Sequence, residues 1–224
     1  MMSNLFSIFD PSTSMKFSMN WLSSMFFMLF LPKIFWTSPS MYLMLWNNIN
    51  YFILKEMKIS LNKLTNFFNL LIFKTLFIFI MLSNFISLFP YIFNNTSHVT
   101  LSLMTALILW ISFMLFGWMK NSLHMYIHLT PQGTPYMLMP FMVLIESVSN
   151  LIRPMTLSIR LSANIIAGHL LMTLISKSMI NLNLIIIILM ILIQSILVIL
   201  EIAVSFIQSY VFTILSSLYS SETN

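Results

Sequence analysis

Two long apolar runs near the C-terminal end of this sequence are interrupted by a few residues able to carry or hold protons. Glu146, Arg153, Arg160 and His169 stand in the first run, and Glu201, Gln208 and Glu222 in the second. Ionisable groups inside apolar helices are costly, and their default reading is function. Glutamate and histidine can exchange protons, whereas an arginine in a protein keeps its proton permanently. The chemistry on offer is proton transfer past a fixed cation. Glu146, Arg153 and Arg160 are seven residues apart, a spacing that drifts only about 20° per step, so they share one helix face. Glu201, Gln208 and, fourteen residues beyond Gln208, Glu222 share a face in the same way.

Axial level adds order to this set. With Arg160 and Gln208 at one depth of an antiparallel pair, Glu146 and Glu222 each lie about 21 Å toward one side. His169 and Glu201 lie about 10–14 Å toward the other. One acidic pair and one histidine–acid pair then flank a permanent cation. His169 stands about 180° around the helix from Arg160, so it must face a different neighbour. Ser158, Ser162, Ala163, Ala167 and Gly168 surround Arg160 in a chain with only four alanines and three glycines. Small side chains let another helix approach closely in lipid, and Arg160 and Asn164 would look out of that thin surface toward a partner.

Blander readings apply to the other polar residues. Arg153 precedes Pro154, which can free backbone carbonyls for it to bind, so it reads as structural. His124 and His128 are four apart and could ligate a metal, but no third ligand is near and they read as part of an interfacial loop. Glu56, between Lys55 and Lys58, reads as a solvated charge. A structural ion pair within the chain is the blander reading of Arg160.

The elements that must position these residues are set by composition. Of 224 residues 59% are apolar and 7% charged, with 21 Met, 21 Phe and no Cys, against roughly 25% charged in a soluble domain. Too few charges remain to coat a soluble globule. A soluble enzyme, a disordered chain and a disulfide-built secreted domain are excluded. The net charge of +5 is dispersed rather than clustered, which gives no footprint for nucleic acid and reads instead as a topology signal. The N-terminal stretch, broken by Asp10 and Pro11, has neither a secretory-signal pattern nor that of an imported precursor. With usage skewed toward Met, Ile, Phe, Asn, Leu and Ser, this suggests synthesis inside an organelle; a bacterial inner-membrane protein is the alternative.

A bilayer core about 30 Å thick needs about 20 apolar residues of helix. The expectation is an all-α integral membrane protein, one membrane domain over 1–224, with about five membrane-crossing helices and one amphipathic surface helix. Residues 18–35 form the first span. Residues 40–63 form the surface helix, with Tyr42, Leu45, Trp46, Ile49, Phe52 and Ile53 on its apolar side. Spans at 69–90, with Lys74 near its start, and at 99–119 follow. The segment from Lys120 to Pro140, with Pro131, Gly133 and Pro135, reads as a loop. Residues 141–176 and 184–220 make a long antiparallel hairpin, too long to stand upright and therefore steeply tilted. Lys33, Lys55, Lys58, Lys63 and Lys120 fall on one side and Lys16 and Lys177 on the other. The basic-rich side is the inside, which puts the N-terminus outside and the C-terminus inside.

The run Ile152-Arg-Pro-Met-Thr-Leu-Ser-Ile-Arg-Leu-Ser-Ala-Asn-Ile-Ile-Ala-Gly-His169, with Glu201 and Gln208-Ser-Tyr-Val211 downstream, resembles subunit a of the F-type ATP synthase in its mitochondrial form. Phe89-Pro-Tyr91, Thr130-Pro-Gln-Gly-Thr-Pro135 and Tyr219-Ser-Ser-Glu222 fit the same family, so the resemblance covers essentially the whole chain. It implies a proton-conducting stator beside a rotating ring of small c subunits, with two offset half-channels. It implies that Arg160 faces the ring carboxylate, with Gln208 and Asn164 as polar neighbours. His169 and Glu201 would serve the intermembrane-space half-channel, where bacterial relatives exchange acid and histidine. Glu146 and Glu222 would serve the matrix half-channel. The implied partners are the c-ring, other membrane-sector and peripheral-stalk subunits, the lipid bilayer and protons, without nucleic acid. The implied place is the mitochondrial inner membrane, with the N-terminus on the intermembrane-space side. No catalytic site, metal or cofactor is expected, and no phosphate-binding loop is present. Other classes predict other features. A haem-bearing redox subunit needs paired histidines within spans, and a secondary transporter needs an inverted repeat and broken helices. A purely structural subunit leaves the axial order of the polar residues unexplained.

Overall fold

A computed structural model describes residues 5–14, 17–32, 37–61, 67–89, 91–130, 133, 135–179 and 183–223, with the side chains of Leu5, Phe67 and Glu222 outside the description. Lys16, Lys33, Lys63, Pro90, Pro131 and most of the joint between the long helices, on which several expectations above rest, lie outside the described residues. Six α-helices are described: α1 (Met41–Ser60), α2 (Phe67–Ser87), α3 (Val99–Lys120), α4 (Ser122–Leu129), α5 (Met139–Ser178) and α6 (Leu184–Thr223). Short 3-10 helices at Leu5–Phe9 and Met19–Phe30 precede them, and another at Tyr136–Leu138 leads into α5. The chain is an all-α integral membrane protein: α2, α3, α5 and α6 are each long and apolar enough to cross a bilayer. Met19–Phe30 is a shorter apolar helix. Its 12 residues reach about 24 Å at a 3-10 rise.

That first segment was expected as an α-helix. It packs against α2, and its serine hydroxyls take backbone partners within the segment and at the turn after α2. Ser24 Oγ donates to Trp21 O (2.8 Å) and Ser23 Oγ to Phe93 O (3.0 Å). Trp21 stacks near His98 and Phe93, while Phe30 O at the other end accepts from Tyr42 Oη. The segment therefore runs from the α2–α3 turn to the start of α1. Ser60 Oγ meets Ser217 Oγ at 2.9 Å, which puts the end of α1 beside the C-terminal end of α6.

α1 leaves most of its expected membrane-facing apolar side open and packs a second stripe. Tyr42, Leu45, Ile49 and Phe52 are exposed, whereas Asn50, Ile53, Met57 and Leu61 are buried. With half-buried Leu43, Trp46 and Ser60 these make an alternating three-and-four stripe, which is the narrow seam of helix-on-helix packing. The Asn50 amide is accommodated because Nδ2 donates to Trp46 O. Between Lys120 and Pro140 the expected loop is also only partly found. Residues 122–129 lack proline and glycine and form α4, pinned by a Trp118–Tyr126 edge contact.

The interior is small and polar where α6 meets α2. Ser205, Ser209, Thr213, Ser216, Ser217 and Ser220 are buried. Their hydroxyls donate to carbonyls three or four residues back, so no donor is stranded. Two apolar clusters complete the core: Ile53, Met57, Leu61, Phe73 and Phe77, and then Ile80, Ala106, Leu157, Leu161 and Phe212. Large apolar side chains instead cover the outside, as along Leu184, Ile185, Ile188 and Leu189 of α6. α5 packs mainly on α3 and α6 on α2, and the two long helices also meet each other. Each holds 40 residues, or about 60 Å at an α-helical rise.

Candidate functional site

α5 has two faces. Pro154, Leu157, Ser158, Leu161 and Ser162 are buried, and the helix continues through Pro154. Thr156, Ile159, Arg160, Ala163, Asn164 and Ala167 are exposed. Arg160 stands about 31 Å from the start of α5 and about 27 Å from its end. Among the described residues no hydrogen bond or ion pair reaches it. Ser158 and Ser162 were expected on the thin outer surface beside Arg160. They turn into the molecule instead, each bonded to the carbonyl of the preceding turn, because they lie on the opposite side of α5. Ala163 and Ala167 alone keep the arginine's surface low.

One turn along, Asn164 Nδ2 donates to Gln208 Oε1 at 3.2 Å. Gln208 is buried at 5% exposure. Asn164, not Arg160, is thus level with Gln208, a shift of about 6 Å from the expected register. The offset does not extend to the next contact, where Gly168 and Glu201 stand within one residue of the expected register. Glu201 lies so close to Gly168 that a Cβ there would stand 2.7 Å from Glu201 Oε1. The absent side chain is what admits the carboxyl between the helices.

A cavity of about 280 Å³ opens on this side of the pair, lined by Asn84, Ser87, Asn164, His169, Glu201 and Gln208 among apolar neighbours. His169 faces α2, as its angular distance from Arg160 requires. It interacts with the Ser87 backbone, and the Phe9 ring stands edge-on at 6.5 Å. Among the described residues, His169 Nε2 and Glu201 Oε1 are buried with no hydrogen-bond partner, and so are both amide atoms of Asn84.

At the opposite end the polar groups assemble differently. Arg153 Nη2 lies 3.9 Å from Glu146 Oε1, and its guanidinium carbon stands 5.2 Å over the Tyr219 ring. A small cavity of about 80 Å³ there is lined in part by His128, Asn150, Arg153, Tyr219 and Thr223. Asn150 and Thr223 share that cavity, so the backbone of Glu222 is level with Asn150 rather than with Glu146. Glu146 sits about one turn farther out and meets Arg153. The Glu222 side chain lies outside the described residues. Instead of one continuous seam, the polar residues form two clusters, with Arg160 on the exposed face between them.

His124 and His128 are exposed on α4 with ring centroids 6.0 Å apart. No group of three or more metal-ligating side chains occurs among the described residues. Sequence reasoning missed the Arg153–Tyr219 contact and the wall supplied by Asn84 and Ser87. A lone amide in an otherwise apolar span was the available signal for Asn84.

Comparison with known proteins agrees along the whole chain. A family model described as ATP synthase A chain matches residues 13–221. The protein named ATP synthase subunit a of Drosophila melanogaster is 51% identical over 224 residues, covering 100% of both chains. Its namesakes in Aedes aegypti and Aedes albopictus are 52% and 53% identical over 226 aligned positions, again covering 100% of both chains.

Proposed function

The chain belongs to the ATP synthase A chain family, and on that premise we propose that it is the stator of the membrane sector, coupling proton flow to rotation of a ring of c subunits. The observation that carries this reading is Arg160. A permanent cation exposed halfway along a membrane helix, with no partner among the described residues, needs a carboxylate from a neighbour. The low surface made by Ala163 and Ala167 suits the close approach of another helix.

In this reading the cavity at His169 and Glu201 is the half-channel from the intermembrane space. The cluster of Glu146 and Glu222, with Arg153 and Tyr219 beside it, serves the matrix side. The two openings lie at different depths and on different sides of α5, so no straight path joins them. A proton entering past His169 and Glu201 neutralises one ring carboxylate, which can then turn through lipid. A carboxylate arriving deprotonated is held near Arg160, after its proton has left toward Glu146 and Glu222. Asn164 and Gln208, joined to each other, close the outer cavity next to the arginine. Each elementary charge crossing 100 mV yields about 2.3 kcal/mol, so several protons are needed per ATP and a ring of repeated sites suits the task.

The proposed place is the mitochondrial inner membrane, with the N-terminus toward the intermembrane space and the C-terminus toward the matrix. Other membrane-sector subunits, a peripheral stalk and lipid complete its surroundings, and no cofactor or metal is required. Arg160→Ala tests the proposal. The variant is expected to assemble but to lose ATP-driven proton pumping and ATP synthesis, measured in inverted membrane vesicles. Coupled pumping at near-normal rate in that variant would overturn it.

A further inference from the structure

A second large cavity, of about 350 Å³, lies across α2 from the outer one and shares no residue with it. The first apolar segment, α2, α3 and α5 enclose it, with Phe27, Phe79, Ile80 and Leu161 among its apolar walls. Its polar lining is Ser24, Ser83, Asn95, Thr96, Ser102 and Thr105, and each already has a partner within the chain. Ser83 Oγ donates to Ile80 O, Ser102 Oγ to Val99 O and Thr105 Oγ1 to Ser102 O. Ser24 Oγ donates to Trp21 O and Thr96 Oγ1 to Asn94 Oδ1, while Asn95 Oδ1 accepts from Ser23 Oγ. A water held in a cavity needs about two to four polar partners, and these side chains have committed theirs to the protein. Such a space is dry, and it is more than twice the roughly 150 Å³ apolar cavity that takes up benzene. Left empty, its walls would forfeit the contacts of a close-packed interior.

The cavity's rim says what fills it. Met25 and Met28 line it and are each 56% exposed, so it is continuous with the lipid-facing outside of the molecule. From the α2–α3 turn its walls reach to Phe79 on α2 and Thr105 on α3, about 9–12 Å deep. That is less than half of a hydrocarbon core about 30 Å thick. Asn95 and Thr96 stand at the turn end, where Trp21 packs with Phe93 and His98, as aromatic side chains do at headgroup level. A neighbouring helix, about 10–12 Å across, would fill this volume within one turn. We propose that the cavity binds one acyl chain of a phospholipid whose headgroup lies at the α2–α3 turn. The chain braces the first segment, which packs mainly on α2, by filling the space between it and α3.

The test uses the assembled complex in vesicles of phosphatidylcholine, a fraction of it carrying a photoreactive group at mid-chain. Met25 and Met28 can be labelled by any passing lipid. Ser102 and Leu161, at 4% and 2% exposure, can be labelled only by a chain inside the cavity, and both are expected to be labelled. Thr105→Phe fills the cavity from its own wall. It is expected to lower the labelling of Ser102 and Leu161 several-fold while Met25 and Met28 stay near wild type. Labelling confined to Met25 and Met28 in the wild-type complex overturns the proposal, whether the space is empty or taken by another subunit. Unchanged labelling of Ser102 and Leu161 in Thr105→Phe overturns it too. Should that variant fail to assemble, Ser83→Leu fills the cavity from α2 with a smaller side chain and is read in the same way. In detergent, stripping phospholipid is expected to speed proteolysis of the first segment several-fold, and equal cleavage with and without phospholipid overturns the bracing role.

Discussion

Gly168 and Glu201 form a pair in which one residue's missing side chain sets the other's position. A Cβ at Gly168 would approach the far end of the Glu201 side chain, which can swing aside while the backbone stays in place. Gly168→Ala is therefore expected to leave assembly unchanged and to displace the carboxyl by about 1 Å, a misplacement that can cost up to about 100-fold in rate. Proton conduction beside the amount of assembled subunit measures this. Conduction at wild-type level would show that the carboxyl's position is not rate-determining. The two arginines make the complementary case. Arg153 and Arg160 are seven apart and look equivalent in the sequence. One finds Glu146 and Tyr219 in its own chain, and the other faces outward with no partner among the described residues. Their roles were separable beforehand only through Pro154 and the resemblance. Spacing identified a shared face but not which neighbour would cover each end of it.

At the scale of elements, α6 is the helix whose two halves differ most. Its first half exposes large apolar side chains, and its second half buries a serine and threonine stripe among the helices packed on it, α2 foremost. Ser209 lies at 0% exposure in that stripe. Ser209→Leu is expected to force the two helices apart, at about 1–3 kcal/mol for overpacking. A lower temperature of heat-induced disassembly of the solubilised complex measures it. An unchanged temperature would mean that the contact is looser than the buried serines indicate. Length and hydropathy were enough to locate α2, α3, α5 and α6, because a crossing helix needs a long apolar run and few other segments have one. They did not show the second, packed stripe of α1 around Asn50, Ile53 and Met57, which the packing of α2 and α6 covers. The register of α5 against α6 at Gln208 was misjudged by one turn for a related reason. Seven-residue spacing is nearly invariant to a slide of one turn, and the Asn164–Gln208 bond selects the position there. Asn84 escaped notice because the importance of a lone amide depends on what converges on it from other helices.

The whole molecule buries hydroxyls and amides beside two apolar clusters and leaves many isoleucine, leucine and phenylalanine side chains on its outside. Its ends are consistent with the proposed topology. Phe9 reaches His169 at one end, and Ser60 meets Ser217 at the other. Between these ends lies the uncovered face of α5 carrying Arg160. That face also makes the chain a poor resident of the membrane by itself. A copy lacking its neighbour leaves a guanidinium at mid-depth in hydrocarbon, at about 2.5–3.5 kcal/mol on insertion scales. Unassembled copies therefore carry a built-in mark of incompleteness, legible to membrane proteases as local instability. In cells depleted of c subunits, pulse-labelled chain is expected to decay several-fold faster than in the intact complex. Arg160→Leu, which cannot work, is expected to outlive the wild-type chain under that depletion. The residue proposed to drive the motor would then also keep orphaned stators from accumulating.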